Sequence, residues 1–166
     1  MKPRNRILLL LVCVCLFLGG CVKSITADDL AFRLLNLYPS LPPCSQYIKN
    51  GAKYEAGYLS SEDFSFLYTG VSEHLAEWDT IEDFRLILSD TTDIFEIHVI
   101  RTATADQADE IAKLLARRAR LISLHNKMNE DYPGVEPVVE IHGRYALLLA
   151  TYDNEAASRL LKKLLG

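Results

Sequence analysis

The sequence predicts an α+β domain. Its plan is a mostly antiparallel four-stranded sheet built as ββα-ββα, with helices on one face, preceded by an N-terminal helix and an irregular aromatic-rich segment. Three observations lead there. From Ile81 onward, two pairs of short runs carry strand-like apolar residues, each pair joined by a polar or glycine turn. Each pair is followed by a segment whose apolar residues recur at helical spacing. The 166 residues, 49% hydrophobic and 24% charged, have the composition of one ordinary folded domain. A net charge of −4 argues against a nucleic-acid partner, which needs a basic face to neutralise phosphates.

In chain order, Thr26 is a good N-cap, with Asp28 and Asp29 in the electropositive first turn. Leu30, Leu34 and Leu37, with Phe32 and Leu35, form an apolar stripe ending near Tyr38-Pro39. Pro39, Pro42 and Pro43 then interrupt regular structure. The stretch 39–80 is the most aromatic, holding Tyr47, Tyr54, Tyr58, Phe64, Phe66, Tyr68 and Trp78. A short helix is expected over 61–68, capped by Ser60 or Ser61, and another turn over 72–78. These rings fit two roles. Either they fill the core where loops and helices meet the sheet, or Tyr54, Tyr58, Tyr68 and Trp78 present a contact surface or line a pocket.

The strands are clearer. Residues 84–88 and 94–100 flank the polar loop 89–93, and alternation places Phe95, Ile97 and Val99 on one face and Glu96 and His98 on the other. Thr104 and Gln107 form a capping-box pair ahead of a long helix buried through Ala108, Ile111, Ala112, Leu115, Ala119 and Ile122. Arg117, Arg118 and Arg120 read as its solvated face, favoured near a helix C-terminus. A loop around Tyr132-Pro133-Gly134 leads to runs 138–142 and 145–151, turned at Gly143. The second run is nearly all apolar and is expected as a central strand. Asp153 or Asn154 caps a last helix with Ala157, Leu160, Leu161 and Leu164 apolar.

The N-terminus has the form of an export signal. Lys2, Arg4 and Arg6 precede an apolar run over 7–18, shorter than the ~20 residues of a transmembrane helix. Leu18-Gly19-Gly20-Cys21 resembles the lipobox of bacterial lipoproteins, in which the cysteine thiol is diacylglycerylated. That likeness divides the chain into a signal peptide over 1–20, cleaved between Gly20 and Cys21, a short lipid tether over 21–25 and one domain over 26–166. Four tether residues reach at most ~14 Å, so the domain is expected close to the bilayer. Losing Lys2, Arg4 and Arg6 takes the net charge from −4 to about −7, so lipid rather than electrostatic attraction holds the protein at an anionic surface. Cleavage also removes Cys13 and Cys15. With Cys21 acylated, Cys44 is left alone, either free or paired with another chain.

The order of motifs resembles a family of small bacterial lipoproteins known as domain of unknown function 4358. The likeness rests on Cys21, on Leu67-Tyr68-Thr69-Gly70-Val71 before the first hairpin, on that hairpin leading into the long helix, and on Tyr132-Pro133. Gly143-Arg144-Tyr145 turning into an apolar run, and the closing amphipathic helix, complete it over 26–165. The resemblance implies a lipid-anchored protein on the extracytoplasmic face of the cell membrane, and it implies no particular activity.

No Gly-rich phosphate loop, Gly-x-Ser-x-Gly elbow, His-Glu-x-x-His or Cys-x-x-Cys is present. One constellation stands out: Glu96-Ile97-His98 and Glu140-Ile141-His142 repeat one spacing, one on each hairpin. Residues two apart in a strand share a face. Were the two strands neighbours, Glu96, His98, Glu140 and His142 would offer a ligand set suited to Zn²⁺ or another divalent metal. A strand between them would set the pairs ~10 Å apart, leaving them as the polar side of a half-buried sheet. The expectation is a noncatalytic envelope lipoprotein that binds another envelope protein and needs no cofactor. The alternatives are a small-ligand or metal-binding lipoprotein and an envelope hydrolase.

Overall fold

A computed structural model of the chain describes residues 25–49, 51–53, 55–91, 95–128 and 135–166. The signal over 1–20, Gly20, Cys21 and most of the tether lie outside the described residues, as do Tyr54, Ile94 and Tyr132-Pro133.

Helix α1 (Ala27–Leu35) begins where expected, the Thr26 hydroxyl accepting the Asp29 N–H at 3.0 Å. It buries Ala27, Leu30, Ala31 and Leu34, while Phe32 is 66% exposed. The expected stripe through Phe32 and Leu37 is thus corrected. At 100° per residue Phe32 sits on the far side from Leu30 and Leu34, and Leu37 follows the end of the helix.

Strand β1 (Cys44–Ile48) is a fifth strand that the four-strand expectation omitted. Its five residues follow two prolines and show no clean alternation; pairing with β2 (Ile81–Ser89) creates it. Between them lie α2 (Ser61–Thr69), capped by Ser60, and α3 (Ala76–Thr80), which starts later than the turn expected over 72–78. Next come β3 (Glu96–Thr102), α4 (Ala105–Met128), β4 (Val138–His142), β5 (Tyr145–Ala150) and α5 (Asn154–Leu165). From β2 onward the element order is ββα-ββα, as predicted.

The sheet order is β1-β2-β3-β5-β4, with every neighbouring pair antiparallel. The strand at its centre is β3, and β5 is interior beside it with all six residues buried. Gly143, at φ +55°, makes the two-residue turn between β4 and β5 affordable, since a side chain is strained in that left-handed region.

Helices cover both faces, which corrects the one-face expectation. On one face α2, α3 and α4 pack over Phe84, Leu86, Ile100, Ala146 and Leu148. On the other, α1 and α5 pack over Ile87, Ile97, Val99, Leu147 and Leu149. The reason is that β3 and β5 are apolar on both sides, so each side needs a cover. Helix α4 carries the expected capping box, Gln107 Oε1 accepting the Thr104 N–H at 3.0 Å. Its buried face also includes Leu114, and Lys113 pairs with Glu110.

Candidate functional site

The two Glu-x-His pairs do not meet. Strand β5 separates β3 from β4. Register also turns them to opposite faces. His98 pairs with Leu148, and Leu148 with Val139, so these three share one face and Glu140, the next residue, faces the other. The shared metal site is therefore corrected: among the described residues no three His, Cys, Asp or Glu side chains gather around a common point.

Each pair has its own surroundings. Glu96 and His98 lie under α2 and α4 in the core, not on an open polar face. The Tyr68 hydroxyl is 2.8 Å from His98 Nδ1. His98 Nε2 lies 3.1 Å from Glu96 Oε2 but outside hydrogen-bond alignment, the single buried side-chain polar atom without a hydrogen bond among the described residues. Arg118 Nε donates to Glu96 Oε2 at 3.0 Å, and Nη2 donates to Oε1. Arg118 is thus an internal ion-pair partner rather than part of a solvated face. Burial pushes the Glu96 carboxyl up, but the adjoining His98 and Arg118 outweigh it and hold it down at about 2. Burial pushes the His98 imidazole down, against the pull of Glu96. The four groups form a buried row of contacts, Tyr68–His98–Glu96–Arg118, of which Arg118 is the most exposed.

On the opposite face, His142 Nε2 is 2.8 Å from Glu140 Oε2, and Ser158 of α5 donates to Glu140 Oε1. Here the carboxylate sits between serine and histidine. A nucleophilic relay needs the imidazole in the middle, where it can take the hydroxyl proton.

The aromatic candidates divide. Tyr68 is buried, so it presents no contact surface. Trp78 is half-buried against Phe64, with the Lys49 ammonium 5.2 Å from its ring. Tyr58 is half-buried and bridges to Ile48 at the edge of β1. The core-filling reading suits Phe64, Tyr68 and Trp78.

A groove of about 650 Å³ is lined by Leu37, Tyr38, Pro39, Leu41, Pro42 and Tyr152. Its floor is fixed. The Tyr38 hydroxyl donates to Thr151 Oγ1 at 2.6 Å and lies 3.2 Å from the Asp153 carbonyl, while its ring stands edge-on to Phe95 at 5.3 Å. Tyr152 forms an exposed rim. In the sequence Tyr38-Pro39 marks a helix stop; the run Tyr38-Pro39-Ser40-Leu41-Pro42-Pro43 also carries the signal for this groove, since prolines beside apolar side chains stiffen an exposed apolar segment. Cys44 follows it as a free, half-buried thiol donating to the Pro42 carbonyl at 3.2 Å, its pKa pushed up by burial and by Asp90.

The groove and the point where the chain enters the domain lie at opposite ends of the sheet. The Ile25 carbonyl accepts from Tyr145 at the start of β5, whereas Tyr38 is held by Thr151 just past its end. At about 3.4 Å per residue, six residues of strand set these points roughly 20 Å apart.

Together these features define an α+β domain whose five-stranded antiparallel sheet lies between two helical layers. No protein-family model, curated protein or solved structure matches the chain.

Proposed function

We propose that this protein is a membrane-anchored extracytoplasmic lipoprotein, acylated on Cys21, whose domain is a noncatalytic interaction module of the cell envelope. The observation that carries the reading is the groove of Tyr38, Leu41 and Tyr152 at the sheet end remote from Ile25. A domain tethered through residues just before Ile25 holds its groove away from the bilayer, open to another envelope protein. The basic, apolar and Gly-Gly-Cys order of the N-terminus supports the anchor, and two acyl chains suffice for stable attachment. The groove is apolar with a rigid aromatic floor, the kind of surface that seats an anchoring side chain of a partner.

A second reading, a small-ligand lipoprotein, draws on the same groove, whose volume falls within the range of small-molecule sites. Two experiments test the proposal. Labelled palmitate enters the wild-type protein and not Cys21→Ser, which appears in the soluble fraction; equal labelling of both removes the anchor. A photocrosslinker at Tyr152 in the full-length protein captures one envelope protein in cells, and a Leu41→Asp change abolishes capture. If Tyr152 captures no protein, and a native lipid or cell-wall fragment co-purifies instead, the small-ligand reading replaces it.

A further inference from the structure

The outer surface of α4 changes character along its length. From Lys113 to Met128 the helix has no acidic residue, yet the whole chain is net negative. Leu121, Leu124 and Met128 are 52%, 55% and 78% exposed. Their spacing puts them on one outward stripe with Arg117, and Arg120 flanks it. Arg118, one position on from Arg117, turns inward to Glu96. Among the described residues no carboxylate pairs with Arg117 or Arg120. An exposed apolar stripe studded with unpaired cations is an unusual surface to leave open to water.

Its complement lies in the same helical layer. Helix α2 packs beside α4, and its outward side holds Glu62, Asp63 and Phe66, the last 59% exposed. It has no Lys or Arg, and among the described residues neither carboxylate forms a salt bridge. One layer therefore displays a basic apolar patch and an acidic apolar patch side by side.

We propose that this layer is the interface of a two-fold dimer, with the Arg117–Leu124 stripe of one copy on the Glu62–Phe66 face of its partner. A two-fold axis in the plane of the layer brings each patch over its complement twice and closes the assembly at two copies. Opposite charge steers the encounter and fixes the register, while Phe66, Leu121 and Leu124 become the dry centre. A bilayer is the poorer occupant, because Ile25 leads into the domain on the α1 and α5 side of the sheet, away from α4.

The test uses the full-length chain in cells, in a Cys44→Ser background, with a membrane-permeant bismaleimide. Two differently tagged copies are co-expressed, one Phe66→Cys and one Leu124→Cys. The expected product is a covalent dimer joining the two tags, in severalfold excess over either same-tag dimer. Adding Arg117→Glu and Arg120→Glu to the Leu124→Cys copy lowers the yield at least fivefold, and Glu62→Lys in its partner restores part of it. Absence of the mixed dimer overturns the proposal. So does a yield indifferent to the charge reversals, or a Leu124→Cys adduct formed only with a different protein or with lipid.

Discussion

The Tyr68 hydroxyl on α2 stands 2.8 Å from His98 Nδ1 on the central strand, and both side chains are closed to solvent. Burial pushes the Tyr68 phenol well above its ordinary pKa, so the hydroxyl keeps its proton and donates. Nδ1 therefore accepts, and the proton of the neutral ring is on Nε2, facing Glu96. This contact ties the helical layer to the sheet through polar atoms.

Tyr68→Phe keeps the ring and removes the donor, stranding Nδ1 in the core. The expected loss is about 1–3 kcal/mol, the cost of an unsatisfied buried acceptor, measured as a shift in the urea midpoint. Combining it with His98→Leu should cost less than the two single changes added together, because the stranded partner is gone.

Arg118 and Glu96 should respond unequally to removal of the other. Arg118→Met leaves a charged carboxylate under the helices, with an expected loss of about 3–5 kcal/mol. Glu96→Gln leaves the guanidinium, whose side chain is 24% exposed and can reach water, and should cost about half as much. Equal losses in a denaturation series would remove Glu96 burial as the cause.

Acid should destabilise the protein in two stages. The folded-state pKa of His98 is lowered, so the unfolded chain takes up a proton more readily and stability falls as pH drops below about 6.5. Glu96, lowered to about 2, adds stability that is fully present above its unfolded value and is lost as pH falls from about 4.5 toward 2. Both limbs slope the same way. His98→Gln should abolish the first and shrink the second, which the Arg118 contact still supports, read from urea midpoints against pH.

Zinc should not stabilise the fold through the Glu-x-His pairs, since they face opposite sides of the sheet. Stoichiometric Zn²⁺ is expected to leave Tm unchanged, because only a ligand bound to the native state raises it. A rise that disappears in either His98→Ala or His142→Ala would contradict this geometry.

Local chemistry explains what could be read ahead of the structure. Thr26, Ser60, Thr104 and Asp153 each cap a helix through bonds spanning three residues, so the sequence contains both partners. The turn at Gly143 is likewise a property of one residue and its neighbours. Alternation along 94–100 correctly separated Ile97 from His98, but it could not say whether the His98 side met water or a second helical layer.

The element order from Ile81, the capping residues and the α+β class are legible in the sequence, because helix and strand periodicity and end chemistry act over a few residues. The tertiary structure alone decided that β1 joins the edge, that β5 lies between β3 and β4, and that helices cover both faces. It also decided that Glu96 meets Arg118 across 22 positions and Tyr38 meets Thr151 across 113. Such contacts depend on strand order and on which face each strand turns inward, and the minimum of the whole packed chain fixes both. A pattern of period two is the same read from either side.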